Sequence, residues 1–169
     1  MDGNWEHDMN GFAPDENPRA YRDALGSFAT GVTVVTVPSA DGPVGITANS
    51  FASVSLEPPL VLWSPAKASK RFAYFHQAPH FAIHVLDNHQ RAVCDGFTRD
   101  KHAFDGLDWI TGDNGVPNIH GCLARFECTL DAAHDAGDHV IIVGRVNHAF
   151  FRDGQPLLFQ GGRFVGTEG

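Results

Sequence analysis

Thr47-Ala48-Asn49-Ser50, with Ser53 and Ser55 close behind, gathers hydroxyl and amide groups in an otherwise apolar stretch that ends at Pro58-Pro59. Small polar side chains beside open backbone can hydrogen-bond the edge of a planar heterocycle, and a polar turn is the plainer reading of the same residues. Ten histidines raise the question of metal binding. His76 and His80 are four apart, yet Pro79 between them opposes the helix that would put both on one face. His80 and His84 share that interval in a predicted strand, where it separates them by about 13 Å. There is no His-Glu-x-x-His motif, so no metal site is expected. Gly161-Gly162 lacks the spacing of a dinucleotide fingerprint and precedes no predicted helix, so any nicotinamide must bind without a Rossmann domain. A serine hydrolase would need a Gly-x-Ser-x-Gly elbow, and none occurs.

The chain of 169 residues has the size of one domain, and a net charge of −8 offers a polyanion no basic field. Its 12 Lys and Arg form no run longer than Lys70-Arg71, so no nucleic-acid partner is expected. Cys94, Cys122 and Cys128 lack Cys-x-x-Cys spacing and leave one thiol over in any disulfide scheme, which fits a reducing cytoplasm. Residues 1–16 carry five acids and no apolar run; they read as a flexible acidic leader without a signal or membrane segment, before a single domain at 17–169.

The elements that must position these residues are mostly strands. Asn17 and Pro18 predict a helix start, with Tyr21, Leu25 and Phe28 at helical spacing and Gly31 as its end. Residues 31–37, β-branched almost throughout, and a partner strand at 44–51, separated by Ser39-Ala40-Asp41-Gly42, predict a hairpin. A buried strand at 60–63, a helix at 67–75, a strand at 81–86 and a helix at 88–97 follow, and residues 98–118 look like an excursion outside the core. Even-numbered positions from Cys122 to Leu130 are apolar and the odd ones from Arg125 onward polar, as in a strand wet on one face; His139 to Phe151 is its partner across Gly137. Short strands at 156–159 and 163–165 close the set. Strands joined by hairpins, without βαβ alternation, predict a mainly β fold, an antiparallel barrel with a few peripheral helices.

The run from Gly45 through Ile46-Thr47-Ala48-Asn49-Ser50-Phe51-Ala52-Ser53-Val54-Ser55-Leu56-Glu57-Pro58-Pro59-Leu60 resembles the signature of the flavin reductase-like family. Residues 28–36, 81–86, Ala136-Gly137-Asp138-His139 with Gly144 and Val146, and 156–164 are similar to further family segments, in the expected order from about residue 19 to 165. The resemblance implies an FMN-binding split barrel and an NAD(P)H:flavin oxidoreductase, moving hydride from NADH or NADPH to non-covalent FMN or FAD. It implies that Thr47, Ala48, Asn49 and Ser50 line the flavin ring and ribityl chain, with Ser53 and Val54 nearby. Ser64, Lys67 and Ser69 would meet the phosphate; Lys101 is either a further phosphate contact or a solvated surface lysine. His139 would face the nicotinamide, in preference to being a plain half-exposed strand histidine, and Phe164 would cover the ring, join a dimer contact or sit as a core aromatic. A homodimer is implied, as is a separate monooxygenase that receives reduced flavin; the alternative is a flavin-binding carrier or sensor that does not turn over a nicotinamide.

Overall fold

The computed structural model describes residues 9–165. Residues 1–8 of the expected leader lie outside these. Asn17 caps the first helix through its Oδ1, which accepts the Ala20 N–H at 3.0 Å, and α1 runs over Pro18–Gly26. It stops short of Gly31 because β1 (Thr30–Gly31) is already extended and paired with Leu158 and Phe159.

The hairpin predicted next forms β2 (Thr33–Val37) and β3 (Val44–Ala48), and β3 ends at Ala48, which leaves Asn49 and Ser50 in the following turn. Ala52–Leu56 is a strand, β4, with a register shift between Ser53 and Ser55, where only a polar turn was expected. β5 (Pro59–Trp63) returns against it. The helix expected over 67–75 shrinks to α2 (Phe72–Phe75), because Ala66 bridges to His139 and Lys67 N–H donates to the Asp138 carbonyl at 2.9 Å, which keeps that segment extended. Next come β6 (His80–Val85), α3 (Arg91–Arg99), a hairpin of β7 (Trp109–Thr111) and β8 (Pro117–Ile119), β9 (Ala124–Ala136), β10 (His139–Phe151), β11 (Leu158–Gln160) and β12 (Arg163–Val165).

Seven strands pair antiparallel in the order β3-β2-β6-β9-β10-β5-β4, and no ladder joins β3 to β4, so the barrel is split between those edges. β2 is buried at every position because successive side chains point to opposite faces and both faces are covered. Val35 and Val37 join a core with Trp63, Phe75, Phe81, Ile83 and Ile142 inside the curl. Val32 and Val34 join a second core with Leu86, Phe97, Phe104, Ile119 and Leu157 under α3. Phe104 belongs to the supposed excursion, and Ala103, Leu107 and Trp109 of the same stretch pack against this core, so residues 98–118 do help build it. The face of β9 expected to be wet is also largely covered: Arg125 and Glu127 are 14% and 16% exposed, paired at 3.0 Å, with the Asn118 amide donating to Glu127 at 2.8 Å.

Candidate functional site

Phe97 seats α3 on the sheet. A Cβ at position 45 would lie 2.5 Å from the Phe97 ring, so Gly45 allows a close approach that no larger residue would permit. Fully burying a phenylalanine contributes roughly 1.5 to 3 kcal/mol, and Phe97 is fully buried. With α3 fixed there, the Thr47 hydroxyl donates to the Cys94 carbonyl at 2.9 Å and the Thr98 hydroxyl to the same carbonyl at 2.8 Å.

Beside this joint runs a groove. One part, of about 320 Å³, is lined by Thr47, Ala48, Asn49, Cys94, Asp95 and Thr98, with Val32 and the rings of Phe159 and Phe164 completing it. The other, of about 360 Å³, is lined by Ile46, Ser69, Lys70, Arg71 and Phe97 and shares Thr47 and Thr98 with the first. The groove thus has an apolar slot at one end and cationic side chains at the other. Arg71 donates to the carbonyls of Gly45, Phe97 and Thr98, two of them in the last turn of α3, where a cation suits the helix dipole. A planar apolar ring system with an anionic tail fits this donor set. A cavity of about 60 Å³ near His80 and Glu127 is far too small for such a molecule. Among the described residues no three His, Cys, Asp or Glu are grouped as metal ligands.

Thr47, Ala48 and Asn49 lie on the slot, and Ser69 lies on the cationic part. Ser50 faces elsewhere: its hydroxyl accepts the Ser64 N–H at 2.9 Å and donates to the Ser64 carbonyl at 3.3 Å, tying the turn after β3 to the loop after β5. Ser53 and Val54 sit on the edge strand β4, and Val54 is half-exposed. The Lys67 ammonium pairs with Asp135 and donates to the Gly137 carbonyl at 2.6 Å, so it grips the β9–β10 turn. Lys101 places its ammonium against the Tyr74 ring and hydroxyl. Arg71, Asp95, Thr98 and Phe159 were missed from sequence; the apolar and polar repeat of α3 was the signal for two of them.

His139 opens β10 after the two-residue turn Gly137-Asp138. Gly137 has φ +66°, as the first central position of a type II′ hairpin turn requires. His139 Nδ1 lies 2.7 Å from Asp138 Oδ1, and the hydrogen bond and charge of His139 hold the exposed Asp138 carboxyl below the usual carboxylate range. The loop at 64–71 links this turn to the groove: it is tied to Ser50 at one end, bridged to His139 at Ala66, and ends at Ser69 and Arg71.

Known proteins resemble this chain in sequence and in fold. The model of the flavin reductase like domain matches residues 25–168. The chain is 62% identical over 149 residues to an NADH-dependent FMN reductase of Agrobacterium fabrum, covering 88% of this chain and 86% of that protein. It is 42% identical to the reductase subunit of a flavin-dependent monooxygenase from Rhodococcus jostii, covering 90% and 79% of the two chains. Among solved structures, an NADH:FAD oxidoreductase of Streptomyces globisporus, in complex with NAD and FAD fragments, superposes with a TM-score of 0.85 at 38% identity, covering 92% of this chain and 95% of that one. On the matched length, the shared fold and these identities, the chain belongs to the flavin reductase-like family.

Proposed function

We propose that this chain is an NAD(P)H:flavin oxidoreductase that accepts hydride from NADH or NADPH onto FMN or FAD bound in the groove beside Thr47. The observation that carries this reading is a pair of neighbouring cavities that share Thr47 and Thr98, one an apolar slot between Ala48, Cys94, Phe159 and Phe164, the other carrying the cations Lys70 and Arg71. Flavin, when bound, supplies the two-electron acceptor. The chain's own residues bind and align. Ala48 and the two phenylalanines exclude water from the ring, Asn49 supplies polar groups at its edge, and Ser69, Lys70 and Arg71 take the phosphate. His139, oriented by Asp138, holds the nicotinamide. Alignment of this kind can lower a bimolecular barrier by about 7 to 11 kcal/mol at its favourable limit, so no side-chain acid or nucleophile is needed.

The named relatives support a place as the reductase of a two-component system that hands reduced flavin to a separate monooxygenase. The domain proposed is 17–169, working as a homodimer in a reducing cytoplasm. Burial pushes Cys128 up to about 12 and keeps it protonated, so this thiol is a core group and not a nucleophile. Among the described residues no helix is long and apolar enough to cross a membrane.

The test mixes purified protein with NADH or NADPH and with FMN or FAD, following the nicotinamide absorbance. Flavin-dependent loss of that band is expected. Flavin binding with neither nucleotide consumed would replace the reductase by a carrier.

A further inference from the structure

Arg91, Cys94, Asp95 and Thr98 fall at i, i+3, i+4 and i+7 of α3 and share one face. The last three line the slot, with Phe164 among its other walls. Arg91 is not itself part of the lining. Its guanidinium carbon lies 3.6 Å from the centroid of the Phe164 ring, and its Nε donates to Asp95 Oδ1 at 2.9 Å. Phe164 also meets Phe159 edge to face at 5.2 Å. β12, which carries Phe164, has a single ladder partner, β11. The stack of Arg91 on Phe164 therefore ties a lightly paired edge strand to a helix that is firmly seated through Phe97.

We infer that Asp95, Arg91 and Phe164 form a latch that holds β12 as a wall of the slot and sets how fast bound flavin exchanges. This rests on the flavin reductase reading above. Arg91 is a positioning residue, acting through Phe164: the face of the ring that stacks on guanidinium is pinned, and the ring's orientation fixes the width of the slot. Asp95 keeps the guanidinium over the ring by holding its Nε. A reductase that must release its reduced flavin gains from a wall held by a contact of modest strength, because the wall can open without unfolding a core element.

The test is stopped-flow fluorescence of FMN release, with steady-state kinetics in parallel. Arg91→Ala is expected to speed FMN release about 2- to 5-fold, the range of a half-exposed cation–π contact, and to raise KM for flavin more than it changes kcat. Arg91→Lys keeps a cation without the planar stack and should fall between the two. Phe164→Leu should resemble Arg91→Ala, and adding Arg91→Ala to Phe164→Leu should cost little more, as coupled residues require. Release at the wild-type rate in Arg91→Ala, or fully additive effects in the double variant, would overturn the latch while leaving the reductase standing. Wild-type protein that takes up no FMN and oxidises no nicotinamide in its presence would overturn both. Arg91 is 46% exposed, so its replacement is not expected to unfold the chain.

Discussion

Asp138 decides which nitrogen of His139 can meet a ligand. With Nδ1 held at 2.7 Å by the carboxylate, Nδ1 carries the proton and Nε2 remains as the ring's second polar atom. A residue that contacts only the nicotinamide should separate the two substrates kinetically. His139→Ala is expected to raise KM for NADH or NADPH about 3- to 10-fold, the range of one lost hydrogen bond, while the FMN dissociation constant stays put. Equal weakening of both ligands would remove His139 from the nicotinamide side. Asn49 should behave in the opposite way, since it lines the slot itself. Asn49→Trp would fill the slot, and FMN affinity measured by fluorescence quenching should drop by more than about tenfold, which exceeds the effect of a single hydrogen bond. Unchanged FMN binding in that variant would place the flavin elsewhere.

Among the elements, β8 is tied to the sheet by buried side chains: the Thr36 hydroxyl donates to the Pro117 carbonyl at 2.6 Å, the Asn118 amide donates to Glu127, and His84 bridges to Ile119. His84 on β6 is fully buried; its Nδ1 donates to the Val34 carbonyl of β2 at 3.0 Å and its Nε2 accepts the Ile119 N–H of β8 at 3.1 Å. Burial pushes its pKa down from 6.5 to about 4, and nearby Arg125 adds to the shift. The unfolded chain therefore binds more protons between those values, so stability present above pH 6.5 falls as the pH is lowered and is fully lost only below about 4. The shift corresponds to roughly 3 kcal/mol. Urea unfolding of wild type from pH 7 to 4 should show this fall. His84→Leu, less stable throughout because the Ile119 N–H is left unpaired, should show a shallower one; the same slope in both would clear His84 of the effect. Such elements were unevenly legible. The bounds of β10 could be read because turn and pattern agreed at Gly137 and His139, whereas β4 could not, since an exposed edge strand carries no burial signal. The β3 end of the groove was likewise readable from Thr47 to Asn49. Asp95 reaches it through the docking of α3 on Gly45, and Arg71 from the loop before α2 by bonding the Gly45, Phe97 and Thr98 carbonyls, tertiary contacts without a local signature.

At the scale of the whole molecule, α1 is the element that makes least sense in one copy. Its sequence is strongly amphipathic, yet none of its residues is buried; Tyr21 and Leu25 are 45% and 57% exposed, and Phe28 just beyond it is 78% exposed. Isolated helices of nine residues are marginal in water, and most helical stability comes from burying an apolar face. The edge strand β4 adds Val54 and Leu56, 48% and 96% exposed, to the apolar surface of the single chain. Both features suit the proposed homodimer, because a two-fold contact buries the same patch on each copy and protects a sheet edge that would otherwise invite pairing. Light scattering coupled to size exclusion should give the mass of two chains. Leu25→Glu places a charge in the α1 face, where burying it unpaired would be costly, and should shift the mass toward one chain at micromolar concentration, with helical circular dichroism falling as α1 loses its cover. Wild-type protein running at the mass of one chain would remove the dimer. A dimeric Leu25→Glu variant would instead move the contact away from α1 and toward β4, where Leu56→Glu is the matching substitution.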